Sequence, residues 1–357
     1  MAPLILVFSS SGSEIPVNPL ASSILHRLAD DGWDGINGLA LRSTFDPVAI
    51  WRRYASAIGV ESRLQEDIEG EFVSSVKWQK YSFENPLIAP TWSTPSIGWE
   101  QSIVEGHPTH PMYKTRRFLP PIPDFAPGSY DLYHPKLRFI AMPRDSLKIT
   151  YNFEELLDPL LQAASKTAGR QMDVPSNCVV VPVHELQLYH LREKFPEVYV
   201  FPAEYHLPLL AQQSIRSVVV PDAYKGLHLK LGVGIKLTSA VRTISPESAY
   251  LGPRFSAQVV PVLTMDRNIV TVARELASVV HRNPDGEIAK HCAALIREYH
   301  EGPGEDCGER HIVCTSLVER GHAGARDELP LVTRVFELDT EDKRAAWLEK
   351  YLIFKAF

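Results

Sequence analysis

The residues best suited to chemistry lie between His228 and Pro253, where an alternating segment precedes hydroxyl and guanidinium side chains. Over residues 228–237, apolar residues alternate with a second set, which predicts one half-buried β-strand. The apolar set is Leu229, Leu231, Val233, Ile235 and Leu237, and the second set is His228, Lys230, Gly232, Gly234 and Lys236. Glycine inside a strand often marks the close approach of a ligand or another backbone. Because Thr238, Ser239 and Arg242 follow, the segment favours an anion site over an edge strand with solvated lysines.

A second basic segment lies between His107 and Arg117, which contains two histidines, one lysine and two arginines together with two prolines. It has three possible interpretations: a loop that faces an anion, which we favour, a solvated basic loop, or a zinc site. The His-x-x-His spacing of His107 and His110 occurs in zinc sites, but no further ligand follows at a typical interval. We therefore predict no metal ligands here.

A further strand is predicted upstream of the alternating segment, over residues 213–220. The turn at residues 221–226 is short, so the two strands are expected to form an antiparallel hairpin. This pairing would bring Ser214 and Arg216 close to the lysines and glycines of the neighbouring strand.

The composition of the chain argues against several classes of function and partner. The 357-residue chain has a net charge of −6, which argues against a nucleic-acid partner because such proteins usually present a basic face. Its four cysteines form no CxxC pair, so we expect reduced thiols and a cytoplasmic protein. No apolar stretch reaches the length of a membrane span, and no membrane partner is expected.

The region after Pro253 is predicted to be helical because its apolar residues recur at intervals of three and four positions. The first predicted helix carries Ile269, Val272, Leu276 and Val279 on one face, and the second carries Ile288, Cys292, Leu295 and Tyr299. Asn283-Pro284 would begin the second helix, as N-cap and first helical residue.

Three segments together resemble the siderophore synthetases that work without a non-ribosomal peptide synthetase, the aerobactin-type synthetases. The segments are Glu105-Gly106-His107-Pro108-x-His110-Pro111-x-x-Lys114-x-Arg116, then Ser214-Ile215-Arg216-Ser217, and then Lys230-Leu231 through Thr238-Ser239-x-x-Arg242-Thr243 to Gly252-Pro253. Their order and spacing agree with that family over about residues 95–320. Each motif alone is weak, but the combination is specific.

The resemblance implies an α+β fold likened to a cupped hand, with a mixed, mainly antiparallel sheet flanked by helices. The implied domains are a helical thumb over residues 1–97, a fingers domain over 98–325, and the start of a palm over 326–357. The palm of the family carries a Glu-x-His-x-x-Asn stretch that supplies Mg²⁺ ligands. Phe357 precedes any such stretch, so these ligands are expected beyond residue 357.

The resemblance also implies a reaction. These enzymes use ATP and Mg²⁺ to adenylate a carboxylate of citrate or a related acid, and an amine or alcohol then attacks to give an amide or ester. The expected partners are therefore small molecules, and a homodimer is expected from the family. The alternative is a truncated, non-catalytic module of the same family that binds a nucleotide or a carboxylate.

The resemblance assigns roles residue by residue. ATP would be bound by His107, Lys114, Arg116, Ser214, Arg216, Ser217 and Lys230. The substrate carboxylate would be bound by Thr238, Ser239 and Arg242, and the catalytic residues would be Lys230 and Arg242. One departure is the His-Pro-Trp-Gln segment of the family, which here reads His184-Glu185-Leu186-Gln187.

Overall fold

The computed structural model describes residues 46–104, 114–238, 240–264, 271–299, 311–322 and 329–353. The chain divides into two compact units, residues 1–73 and residues 74–357. The domain limits drawn from the resemblance remain predictions.

The described part of the first unit contains α1 (Pro47–Ile58) and most of α2 (Ser62–Glu84). The Asp46 carboxylate caps α1 by accepting a hydrogen bond from the Val48 amide at 2.9 Å, and Gly59 ends the helix with a φ of 72°. Trp51 Nε1 donates to the carbonyl of Gln65 at 3.0 Å and so ties the two helices together.

The second unit contains the end of α2 and further helices in its described residues. These are α3 (Ser96–Gln101), α4 (Phe153–Ala168), α5 (Leu188–Lys194), α6 (Pro246–Gln258), α7 (Gly286–Ala289), α8 (Leu331–Val335) and α9 (Glu341–Trp347). The amphipathic spacing of Phe153, Leu157, Leu160 and Ala164 explains α4, because these four residues are buried along one face. Gly169, with a φ of 69°, ends this helix.

The strands that the structure describes in the second unit form three antiparallel sheets. Their bounds are β1 (Arg116–Phe118), β2 (Lys136–Pro143), β3 (Leu147–Thr150), β4 (Cys178–His184), β5 (Tyr199–Val200), β6 (Leu207–Pro208), β7 (Leu210–Ala211), β8 (Ser217–Val219), β9 (Leu227–Leu231), β10 (Ile235–Leu237), β11 (Ala240–Val241), β12 (Glu275–His281) and β13 (Ala293–Glu298). The strand orders are β3-β12-β13-β9-β8-β7, β4-β2-β5 with β6 also paired to β2, and β1-β10-β11. The expected α+β class with antiparallel sheets and flanking helices is confirmed.

The main hydrophobic core lies between the two larger sheets and α4. Phe139 of β2, Leu157 of α4 and Ile296 of β13 are among its fully buried members. A smaller cluster packs around the three-stranded sheet and includes Phe118 and Ile235. The three-stranded sheet therefore has an apolar cluster of its own, apart from the core that the two larger sheets share, and the chain enters this sheet between β9 and β10.

The single strand predicted over residues 228–237 is wrong, because the chain leaves one sheet and enters another within it. β9 belongs to the six-stranded sheet and β10 to the three-stranded sheet. Between them, the Gly232 amide donates to the Ala293 carbonyl at 3.2 Å, and the Gly234 amide donates to Gln187 Oε1 at 2.9 Å. At Gly234 the close neighbour is a side chain rather than a ligand or another backbone, because a Cβ there would lie 2.2 Å from His190 Nε2.

The two predicted helices are also wrong over the described residues 271–299, whereas Ile269 lies outside the described residues. This region forms strands β12 and β13, joined by the short helix α7. Both strands are buried on both faces for four or more consecutive residues, so they lack the alternation that identifies a half-buried strand. Because apolar residues also recur here at intervals of three and four positions, the sequence pattern resembled that of an amphipathic helix.

Candidate functional site

The antiparallel pairing predicted for the hairpin is confirmed, although its first strand is only Ser217–Val219 and residues 213–216 form a turn before it; the hairpin forms one wall of a polar site. β8 pairs with β9 so that Ser217 lies opposite Lys230, and the Leu231 amide donates to the Arg216 carbonyl at 2.7 Å. The Ser214 hydroxyl accepts a hydrogen bond from the Ser217 amide at 3.2 Å. The structure therefore brings Ser214, Arg216 and Ser217 beside Lys230.

Two β-branched residues of this region have left-handed backbone conformations. Ile215 has a φ of 63° and Thr238 a φ of 55°. Such conformations cost a non-glycine residue about 1–3 kcal/mol and concentrate at functional sites. Each lies within a segment that the resemblance assigns to ligand binding.

Arg216 is half-buried in a strongly positive environment. Its Nη1 donates to the Thr243 carbonyl at 2.7 Å. Burial, together with the nearby charges of Arg242 and Arg297, lowers the pKa of Arg216 to about 10, although Glu275 opposes the shift. The cluster therefore offers a concentration of positive charge that suits an anion.

Lys230 and Glu275 form the ion pair of this cluster. Lys230 Nζ lies 3.1 Å from Glu275 Oε1, and Arg297 Nε lies 3.5 Å from the same oxygen. Burial is the main cause that lowers the pKa of Lys230, and Arg216 and Arg297 add to it. We call Arg216, Lys230, Arg242, Arg297 and Glu275 the basic cluster.

Sequence reasoning missed Glu275 and Arg297, because both lie in the region predicted as helical. They face each other across β12 and β13, and Arg297 also lies opposite His228 of β9. The signal that could have found them is a charged residue at one end of each short, mainly apolar run: Glu275 precedes Leu276–Val280, and Arg297 follows Ala293–Ile296.

Arg242 joins the basic cluster from the three-stranded sheet. Its amide donates to the Ile235 carbonyl at 2.9 Å, and its carbonyl accepts from the Val233 amide at 3.0 Å. Its Nη2 lies 3.3 Å from the Thr238 hydroxyl and 3.4 Å from the Leu237 carbonyl. Arg242 and Thr238 are therefore adjacent as predicted, whereas Ser239 lies outside the described residues.

Lys114 and Arg116 lie in a different place. Both are buried and line a cavity of about 330 Å³ whose walls include Trp78, Tyr81 and Tyr130. Lys114 Nζ donates to the Ile103 carbonyl at 2.7 Å, and burial lowers the pKa of this amine to about 7. The described lining of this cavity contains no member of the basic cluster.

The predicted ATP-binding set is thus divided between two places. Ser214, Arg216, Ser217 and Lys230 lie together, and Lys114 and Arg116 line the aromatic cavity. The three-stranded sheet connects the two places, because Arg116 of β1 pairs with Leu237 of β10. His107 lies outside the described residues.

The His184–Gln187 segment packs against the glycine-containing residues that connect β9 to β10. Gln187 Oε1 accepts the Gly234 amide, and its Nε2 donates to the His291 carbonyl at 2.8 Å. The His291 ring stacks on His190 with centroids 4.4 Å apart, and burial lowers the pKa of His291 to about 3. This neutral, buried group fixes the glycine segment that separates β9 from β10.

No group of three or more metal-ligating side chains occurs in the part of the chain that the structure describes. None of the described helices is both long and apolar enough to cross a membrane.

A sequence profile described as the IucA / IucC family matches residues 95–319. The chain belongs to this family. The match covers the basic cluster and agrees with the span of about residues 95–320 over which the three motifs resemble the siderophore synthetases. The recognition of this family from the sequence is confirmed.

Among IucA / IucC relatives, the chain is 40% identical over 324 residues to the NRPS-independent siderophore synthetase rfs of Rhizopus delemar. This similarity covers 90% of the chain and 51% of the relative. The chain thus spans about half the length of the relatives it matches.

Two solved structures confirm the fold. The petrobactin biosynthesis protein AsbB of Bacillus anthracis str. Sterne superposes with a TM-score of 0.62 at 19% identity, covering 87% of this chain and 52% of AsbB. ATP-bound aerobactin synthetase IucA of a hypervirulent Klebsiella pneumoniae pathotype gives a TM-score of 0.56 at 20% identity, covering 76% of this chain and 51% of IucA.

Proposed function

We propose that this chain carries the nucleotide- and carboxylate-binding sheets of an ATP-dependent siderophore synthetase. The proposed reaction joins citrate or a related acid to an amine or an alcohol in the cytoplasm. The observation that carries the proposal is the basic cluster, in which Lys230 and Arg297 contact Glu275, and Arg216 lies within electrostatic range of Arg242, Arg297 and Glu275.

The cluster fits a polyphosphate and a carboxylate bound side by side. Arg216 and Lys230, on the hairpin with Ser214 and Ser217, would bind phosphate oxygens by charge-assisted hydrogen bonds. Arg242, on the neighbouring sheet with Thr238, would bind the carboxylate, which a guanidinium can do bidentately. ATP supplies the leaving group that makes the carboxylate electrophilic.

The catalytic contribution of the chain would be electrostatic. Lys230 and Arg242 come from different sheets, so they can hold phosphate and carboxylate at a fixed separation without reorganising during the reaction. The family resemblance adds His107 and Ser239 to this site. Lys114 and Arg116, which line the aromatic cavity, would contribute to ATP binding from the β1 edge of the three-stranded sheet.

Isothermal titration calorimetry with ATP and with citrate tests this assignment. Lys230→Ala is expected to weaken ATP binding, and Arg242→Ala to weaken citrate binding, each by about tenfold or more because a charge-assisted bond to a half-buried cation is lost. Arg144→Ala and Lys343→Ala are matched controls, since both side chains form exposed ion pairs elsewhere. The assignment is wrong if the cluster variants bind both ligands like the controls.

Pyrophosphate release separates the ligase from the alternative, a non-catalytic binding module. The chain is incubated with ATP, Mg²⁺, citrate and a panel of amines and alcohols. Release that requires both the acid and Lys230 supports the ligase. Binding of both ligands without release supports the binding module.

A further inference from the structure

Glu100 is a partly buried carboxylate that the proposed reaction leaves without a role. It lies on α3, and burial raises the pKa of its carboxyl group. Among the described residues, the hydrogen bond to this carboxylate comes from the Gln213 amide, 3.3 Å from Oε2, and no basic side chain forms an ion pair with it. Because an unpaired carboxylate is costly to bury, this arrangement indicates a function for the contact with Gln213.

Gln213 is held by its side chain as well as by its backbone. Its Nε2 donates to the Glu100 carbonyl at 2.6 Å and to the Tyr133 hydroxyl at 3.0 Å. The next residue of α3, Gln101, donates from Nε2 to the Ala211 carbonyl at 3.1 Å, at the end of β7. The end of α3 therefore fixes the chain where it leaves β7.

The turn of residues 213–216 needs such support, because Ile215 has a φ of 63°. Ile215 is fully buried, and its amide donates to the Gln212 carbonyl at 2.8 Å. The Gln212 amide donates to the Ser217 carbonyl at 2.9 Å, which closes the turn at the start of β8. A β-branched residue keeps a left-handed conformation only where its surroundings determine it. The contacts with Glu100 supply this constraint at the first residue of the turn.

We propose that Glu100 is a positioning residue for the phosphate-binding turn of residues 213–216. This proposal rests on the nucleotide binding proposed above. Glu100 would not contact the nucleotide itself. By holding Gln213, it would keep the Ser214 hydroxyl and the Arg216 guanidinium in place for phosphate oxygens.

Calorimetric titrations with ATP in the presence of Mg²⁺, and separately with citrate, test the proposal. Glu100→Asp keeps the charge but shortens the side chain by one methylene, so its carboxylate no longer reaches the Gln213 amide. This variant is expected to weaken ATP binding by about tenfold, because displacing binding groups by about 1 Å removes much of their interaction with a ligand. Glu100→Gln keeps the side-chain length and an acceptor oxygen, so it is expected to keep most of the wild-type affinity for ATP.

Citrate provides the internal comparison. Its proposed ligands, Arg242 and Thr238, adjoin the three-stranded sheet, whereas the turn leads into β8 of the six-stranded sheet. The citrate affinity of Glu100→Asp is therefore expected to equal that of wild type. A contact that only stabilises the fold would not separate the two ligands in this way.

Asp46→Ala is the matched control. It removes another carboxylate that accepts a backbone hydrogen bond, from the Val48 amide at 2.9 Å, in the first unit of the chain. This variant is expected to be less stable in urea unfolding and to bind ATP like wild type. The same unfolding measurement shows whether each Glu100 variant is folded. If Glu100→Asp is unfolded, Gln213→Ala takes its place with the same expected separation of ATP from citrate, because it removes the side-chain bonds to Glu100 and Tyr133.

The outcomes are distinct. If Glu100→Asp binds ATP like wild type, or loses affinity for ATP and citrate to the same extent, the contact serves the fold alone and the proposal is overturned. If Glu100→Gln weakens ATP binding as much as Glu100→Asp, the charge matters rather than the acceptor position, and the proposal is likewise overturned. In both cases the proposed function stands, because wild type still binds both ligands. If wild type binds no ATP, the proposed function itself fails.

Discussion

Replacing Gly234 by alanine tests how the site is assembled. The added Cβ would lie 2.2 Å from His190 Nε2 and 2.5 Å from its Cδ2, where ordinary contacts begin near 3.4 Å. The ring cannot retreat easily, because it is buried and stacks on His291 with centroids 4.4 Å apart. Ile122 Cδ1 would lie 3.2 Å from the added Cβ, so the methyl group has little free space on that side either.

The expected cost combines two effects. Overpacking of a closed interior costs about 1–3 kcal/mol. If the backbone moves to relieve the contact, the hydrogen bond from the Gly234 amide to Gln187 weakens, which adds about 1 kcal/mol. With a urea m value of about 2–3 kcal/mol/M, a loss of about 2–3 kcal/mol lowers the unfolding midpoint by roughly 1 M.

The assay is urea unfolding followed by tryptophan fluorescence. Gly286→Ala is the control, because a Cβ at this glycine meets no atom within 4 Å. The double variant Gly234→Ala with His190→Ala is expected to be more stable than the sum of the two single changes predicts, since the smaller side chain removes the collision. An unfolding midpoint of Gly234→Ala equal to that of Gly286→Ala would refute the reasoning.

Two further predictions concern buried titratable groups. Burial lowers the pKa of His184 from an ordinary 6.5 to about 3. Between pH 6.5 and pH 3, His184 is therefore protonated in the unfolded chain and neutral in the folded chain. The free energy of unfolding consequently decreases as the pH falls below about 6.5. His184→Asn, which keeps an acceptor for the Leu186 amide, is expected to reduce the loss measured by urea unfolding between pH 7 and pH 5 by about 1–2 kcal/mol; an unchanged pH dependence would contradict this. Burial lowers the pKa of Lys114 to about 7 from 10.5, so wild-type stability rises with pH across that interval. Lys114→Met is expected to be about 1–3 kcal/mol more stable than wild type at pH 7, with a gain that shrinks toward pH 10; a constant difference across this range would show that charge is not the cause.

The sequence was informative where short-range rules decide the structure. The short connection between residues 220 and 227 predicted the hairpin, and with it the position of Ser214 and Arg216 beside Lys230. The ends of α1 at Asp46 and Gly59 obey the same kind of short-range rule, because capping depends on local backbone geometry. The order of three motifs predicted the family over nearly the same residues as the profile match.

The sequence was misleading where burial extends to both faces of an element. β12 and β13 lie inside the six-stranded sheet, and even the polar Ser278 and His281 of β12 are buried, so no regular alternation marks an outer face along their buried parts. This error hid Glu275 and Arg297, two of the five members of the basic cluster. The break between β9 and β10 was equally invisible, because Gly232 and Gly234 preserve the alternation while their amides bond to residues distant in sequence.

The glycine segment between β9 and β10 has a consequence for specificity. This segment sets the separation between Lys230 on one sheet and Arg242 on the other. Gln187 and His190 contact the segment at Gly234, and His291 stacks on His190. If the proposed function holds, these three buried side chains act as a spacer between the proposed phosphate-binding and carboxylate-binding residues. Changes in the volume of the spacer would then alter which pairs of phosphate and carboxylate can be held together. Acid selectivity would then respond to repacking of the interior, with every proposed binding residue left in place.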